Sequence, residues 1–122
     1  MRENEFAPTL NWQRLAFFNR LKFPEDPEEA KAAKAKMGFF ANLLDAPNFT
    51  NLPRTVIYTA GADPLRDEGE KYARKLFVNG NEVIVKRFVG VPHPFMHMDG
   101  SLKQGADFID ETARYIRLAH WD

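Results

Sequence analysis

The chain contains no cysteine and a single serine, Ser101. The first absence excludes disulfides, thiolate zinc sites and a cysteine nucleophile. The second confines any serine nucleophile to one position. Charge of either sign is not in excess: 17 Lys and Arg balance 17 Asp and Glu, for a formal net charge of +0. No global field therefore draws the chain to nucleic acid or to an anionic membrane, and neither is an expected partner. The same balance gives little protection against self-association. No apolar run approaches the roughly 18 residues needed to cross a bilayer. Met1-Arg2-Glu3-Asn4-Glu5-Phe6 has no apolar core of a signal peptide, so a cytoplasmic location is expected. There is no internal repeat and no low-complexity tract.

What is present suits a single domain. At 122 residues the chain can bury one modest core. It is 44% hydrophobic and carries 11 Phe, enough for a core or for an apolar face that meets a partner. The set Trp12, Phe17, Phe18, Phe39, Phe40 and Phe49 reads first as core.

Residues 1–50 read as a helical part and 51–122 as an α/β part. Leu10, Trp12, Leu15, Phe17, Phe18, Leu21 and Phe23 give an apolar face to a helix over 9–23, with Thr9 as its N-cap. Pro24-Glu25-Asp26-Pro27 ends it. Glu28 to Lys36 is Ala/Lys/Glu-rich and predicts a solvated surface helix. An irregular loop from Asn42 to Pro53 follows. Thr55-Val56-Ile57-Tyr58-Thr59-Ala60 is continuously apolar or β-branched, as in a strand buried on both faces of a parallel sheet. Asp67 can cap a helix to about Asn79, and Gly80 suits its C-terminal exit. Glu82 to Phe88 predicts a second strand, whose Lys86 and Arg87 suit a sheet edge. After a loop from Gly90 to Gly100, a last helix runs from about Lys103 to His120. The fold class is α/β, and the strand–helix–strand connection is long enough for a parallel crossover. Two strands alone are not a stable sheet. Either residues 1–50 fold over them, or an exposed strand pairs with another chain.

Two loops carry the chemistry. Gly61-Ala62-Asp63-Pro64-Leu65-Arg66-Asp67-Glu68-Gly69 follows the first strand, and Pro92-His93-Pro94-Phe95 follows the second. A carboxylate and an imidazole on neighbouring loops can form the acid–base half of an acyl-transfer site. Asp63 before Pro64 also reads as an ordinary Asx-type turn residue. His93-x-x-x-His97 with Asp99 has the spacing of a helical metal pair, but Pro94 argues against a helix covering His93, and no metal is expected. Ser101 reads as a turn or cap residue. His120 reads as a helix-end residue favoured by the helix dipole.

Asp63-Pro64-Leu65-Arg66-Asp67-Glu68-Gly69, with Tyr72-Ala73 and Leu76 behind it and Leu43-Leu44-Asp45-Ala46-Pro47 and Leu52-Pro53 ahead of it, resembles a segment of the hormone-sensitive-lipase-like esterases. These have the α/β-hydrolase fold. Pro92-His93-Pro94-Phe95 stands where that family reads His-Gly-Phe. The resemblance covers roughly residues 40–118, and residues 9–23 weakly resemble a helix near the family's cap. It implies a C-terminal portion of the α/β-hydrolase fold, with Asp63 the triad acid, His93 the general base and no cofactor. Three departures go with it. The Gly-x-Ser-x-Gly nucleophile elbow is absent, and so is the His-Gly-Gly-Gly-type oxyanion loop. Pro94 replaces the family's glycine, removes an N–H and favours an extended His93.

Three functions remain open. The chain is part of a carboxylic ester hydrolase whose nucleophile comes from elsewhere. Alternatively it is a non-catalytic descendant that binds a small apolar, ester-like ligand or a partner, with homodimerisation through the strand from Val83 to Phe88. As a third reading, the Asp63–His93 pair works without a nucleophile, as a general base for isomerisation or cyclisation.

Overall fold

The computed structural model describes residues 3–121. Four helices and two strands occur in the order α1 (Trp12–Lys22), α2 (Pro27–Met37), β1 (Thr55–Ala62), α3 (Arg66–Val78), β2 (Val83–Pro92) and α4 (Lys103–Trp121), with short 3₁₀ turns at Gly38–Phe40, Leu43–Asp45 and Phe95–Met98. The strands pair in parallel, as the α/β reading requires, and no third strand joins them among the described residues. With β2 on one side only, β1 is less buried than its sequence suggested. Thr55 to Tyr58 are half-buried, and only Thr59 and Ala60 are fully so.

One core lies between the sheet and the α4 side. Ala60, Phe88, Val91 and Phe95 form its buried cluster, and Tyr58, Leu102 and Phe108 pack against it. The rings meet mainly edge-on or tilted: Phe88–Phe95 centroids are 4.8 Å apart and Tyr58–Phe108 5.1 Å, the arrangement favoured by aromatic quadrupoles. Gly105 lets α4 come this close, since a Cβ there would sit 2.8 Å from the backbone N and Cα of Asp99. On the other face α3 packs Ala73 and Leu76 inward, with Leu76 only 1% exposed. Asn81, just past α3, is buried. Its amide donates to Leu76 O at 2.8 Å and to Phe49 O, and its Oδ1 accepts from Leu52 N–H at 2.8 Å. A single side chain thereby ties the loop ahead of β1 to the end of α3.

Lys86 and Arg87 lie on an edge strand, as expected, and both are paired across its two faces. Successive residues on a strand point to opposite faces, so Lys86 reaches Glu111 on α4 while Arg87 holds Glu70 on α3 through two bonds, of 2.7 and 2.5 Å. The Arg87 guanidinium holds the Glu70 carboxyl below the usual carboxylate range.

The helical part departs further from expectation. α1 begins at Trp12, not near Thr9, because Asn11 is its N-cap and accepts from Arg14 N–H at 2.9 Å. Thr9 lies outside the helix with a φ of 66°. α2 starts at Pro27, with Asp26 accepting from Glu28 and Glu29 N–H. Neither helix buries a residue. Of the aromatic set read as core only Phe49 is buried. Trp12 is half-buried, while Phe17, Phe18, Phe39 and Phe40 are exposed, Phe40 to 70%. Periodicity marks a face that is apolar and cannot say what covers it. The parts of residues 3–52 that close on the α/β layer include the segment before α1, with buried Ala7 and Leu10, the loop around Phe49, and the Leu43–Asp45 turn, where Leu44 O accepts from Lys75 of α3.

Candidate active site

The parallel register brings the two sequence-predicted residues together. Partners run Thr55↔Val83 to Ala60↔Phe88, and pairing then resumes at Ala62↔Pro92. Gly61 therefore stands opposite Val89, Gly90 and Val91, so β2 gains two residues over β1. A regular ladder would set Asp63 beside Val91. The bulge sets it beside His93. Gly90 makes the bulge with a φ of 76°, a left-handed conformation open to glycine. Gly61 lets the strands close over it, since a Cβ there would lie 3.0 Å from Gly90 N and 3.2 Å from Phe88 O.

His93 Nδ1 is 2.8 Å from Asp63 Oδ2. The Asp63 side chain is 10% exposed and that of His93 41%. The acid is thus enclosed and the imidazole partly open. The second carboxylate oxygen, Oδ1, accepts from Leu65 N–H at 2.8 Å, an Asx turn that leads into α3. One oxygen of Asp63 shapes the turn and the other faces the imidazole. This turn also explains why Asp67 does not cap α3. The helix starts at Arg66 with no side-chain cap, and Asp67 lies in its first turn. Proline at position 94 does not turn His93 away. The His93–Pro94 peptide is cis, and the ring reaches Asp63.

Beside the pair is a cavity of about 220 Å³, lined by residues of β1, α3 and the 3₁₀ turn, including Tyr58, Leu65, Arg66, Pro94, Phe95 and Met96. Ser101 is exposed in the turn before α4 and is not part of this lining. His97 and Asp99 are exposed, and His120 lies in the last turn of α4. Among the described residues no group of three His, Asp or Glu side chains is placed to hold a metal ion.

Residues that the sequence did not single out hold the acid loop. Arg66, nearly buried, donates to Gly61 O at 3.0 Å, to Asp67 Oδ1 at 2.8 Å and to both carboxylate oxygens of Glu3 at 2.9 and 3.2 Å. Its hydrogen bonds to Glu3 and Asp67 push its pKa above the ordinary arginine value and lower both carboxyls. Asn4 donates to Gly61 O and Asp63 O, each at 3.1 Å. Arg66 and its partners Gly61 and Asp67 are visible within the motif, but Glu3 is 63 residues away from Arg66 and no local pattern marks it.

With Nδ1 carrying the ring proton, it donates to the Asp63 carboxylate, and Nε2 is left with a free lone pair. An imidazole held in that tautomer can accept a proton from a hydroxyl or a water, and the carboxylate stabilises the imidazolium that forms.

Known proteins resemble the chain in sequence and in fold. A family model described as the alpha/beta hydrolase fold matches residues 1–97. An arylesterase of Saccharolobus solfataricus is 31% identical over 93 residues, which cover 74% of this chain and 30% of that protein. The solved hyperthermophilic esterase of Pyrobaculum calidifontis superposes with a TM-score of 0.77 at 30% identity, over 93% of this chain and 34% of its own. A vibralactone cyclase does so with a TM-score of 0.78 at 31% identity, over 95% and 31%. The chain thus spans about a third of the length of the relatives it matches. By sequence and by fold alike, this chain belongs to the alpha/beta hydrolase fold family.

Proposed function

We propose that the chain supplies the general base, His93, and its orienting acid, Asp63, to carboxylic ester hydrolysis, with the serine nucleophile and oxyanion donors contributed by residues outside these 122. The 2.8 Å contact between His93 Nδ1 and Asp63 Oδ2, with the acid enclosed and the ring open, carries the reading. In the reaction the serine hydroxyl attacks the ester carbonyl as Nε2 takes its proton. Backbone N–H groups hold the oxyanion, and the imidazolium then returns the proton to the leaving alkoxide. A water deprotonated by the same Nε2 next attacks the acyl-serine, releasing the carboxylic acid and, with the proton returned, the serine hydroxyl.

The 122-residue chain alone is expected to hydrolyse p-nitrophenyl butyrate no faster than its His93→Ala variant. Fused to, or mixed with, the Gly-x-Ser-x-Gly-bearing portion of a family esterase, it is expected to give turnover that requires both that serine and His93. An assembled form that turns over equally well with His93→Ala would sink the proposal.

A second reading takes the pair as a general base acting without a nucleophile, or as a vestige beside a binding cavity. The cavity favours it, since Tyr58, Leu65, Phe95 and Met96 give it the lining of a small apolar, ester-like ligand. The likeness to a cyclase points the same way, because proton abstraction can start a ring closure. A His93-dependent rate from the chain alone would favour this reading.

Homodimerisation through β2 belongs to the same reading. The outer edge of Val83 to Phe88 pairs with no strand among the described residues, and two such edges can pair across a two-fold axis. Sedimentation at micromolar concentration is expected to show dimer. Monomer alone, or a dimer that survives a proline at Val85, would count against the edge as the interface.

A further inference from the structure

Residues 3–10 lie ahead of α1 and belong to neither the sheet nor the helices, yet they touch both loops of the site. Asn4 donates from its one amide nitrogen to Gly61 O and Asp63 O, both at 3.1 Å. Glu3 grips the Arg66 guanidinium, which itself donates to Gly61 O. Five residues beyond Asn4, the Thr9 hydroxyl lies against the backbone oxygens of His93 and of Pro8, either of which can accept its proton. Between these contacts Ala7 and Leu10 are buried and anchor the segment. Arg14 of α1 in turn donates to Thr9 O, so the segment is fixed from the helix side as well.

The backbone is specialised at the same two residues. Asn4 has a φ of 62° and Thr9 a φ of 66°. Asparagine tolerates the left-handed region, but a β-branched threonine there is an outlier. Such conformations persist where the surroundings over-determine them. Here the surroundings are the carbonyls of the acid loop and of His93 itself.

We propose that residues 3–10 form a strap that sets the geometry of the Asp63–His93 pair, with Asn4 and Thr9 as its positioning residues. The inference rests on reading that pair as an oriented acid–base dyad. Among the described residues no strand lies on the far side of β1, and Asn4 holds the acid loop through the carbonyls of Gly61 and Asp63. The base loop is fixed at the His93 carbonyl, so the ring approaches Asp63 from a set direction. Neither residue touches the reacting atoms, and each acts through the backbone of the residue it holds.

Proton and nitrogen NMR of the histidine-labelled chain tests this without any ester turnover, so its failure is separate from a failure of the hydrolase reading. The Nδ1–H of His93 is expected as a downfield resonance protected by the Asp63 carboxylate, assigned by its absence in His93→Gln. Asn4→Gly keeps the left-handed backbone at no steric cost and removes only the donor. Thr9→Val keeps the β-branched shape and removes only the hydroxyl. Each substitution is expected to abolish the resonance through exchange with water, while the amide fingerprints of β1, β2 and α3 stay in place. Retention of the resonance in both variants would overturn the proposal. So would its loss only together with those amide signals, because the strap would then hold the fold and not the pair.

Discussion

Asp63→Asn is expected to lower His93-dependent ester hydrolysis of the assembled enzyme by about 10⁴-fold, a loss of the size seen when a triad carboxylate becomes an amide. The reason lies in the second oxygen of Asp63. Oδ1 accepts from Leu65 N–H at 2.8 Å, so the amide oxygen of an asparagine takes that place and its NH₂ group faces His93 Nδ1. An NH₂ donor fixes the imidazole with its proton on Nε2, where no lone pair remains to accept one from a hydroxyl. Turning the amide over would set NH₂ against the Leu65 N–H and cost a buried hydrogen bond, about 1–3 kcal/mol. The turn into α3 keeps its acceptor, so far-UV circular dichroism should not change. A variant that retains its rate would mean that Asp63 serves only the turn. Equal losses of rate and of helical signal would assign the residue to folding.

The second large effect is on stability. Phe88→Ala is expected to cost about 3–5 kcal/mol. Phe88 is 4% exposed and its ring lies 4.8 Å from Phe95, 5.8 Å from Tyr58 and 6.4 Å from Phe108. It is the residue through which β2 joins the 3₁₀ turn and α4 in one cluster, and the register pairs it with Ala60 immediately before the bulge. Total stabilities of small domains run about 5–15 kcal/mol, so truncation here should remove most of the cooperative urea transition. Phe88→Leu, which keeps most of the apolar volume, should restore much of it. A midpoint unchanged by Phe88→Ala would place the stabilising core elsewhere.

The helical N-terminal part shows where sequence reading ran out. Phe17, Phe18, Leu21 and Phe40 are apolar at helix-compatible or clustered positions, but they are exposed. Burial depends on what lies opposite, and local spacing does not contain that. Thr9 looked like an N-cap from its position before an apolar run, yet Asn11, two residues on, has the extended backbone and the correctly placed oxygen. Cap choice among nearby polar residues is decided by the chain's entry path, which here is fixed by Asn4 and Thr9 reaching loops 57 to 84 residues away.

By itself the sequence determined the α/β class, the two strands with a helix between them, the family, and the two loops that carry Asp63 and His93. These rest on local signals: a β-branched run, turn glycines and prolines, and a motif of contiguous residues. Tertiary structure alone decided that the acid and base meet. The meeting depends on a register in which Gly61 faces three residues of β2, on Gly90 in a left-handed conformation, and on a distant segment that grips both loops. Strand register and long-range hydrogen bonds are properties of pairs of segments. A single run of residues specifies each partner's propensity but not the alignment between them.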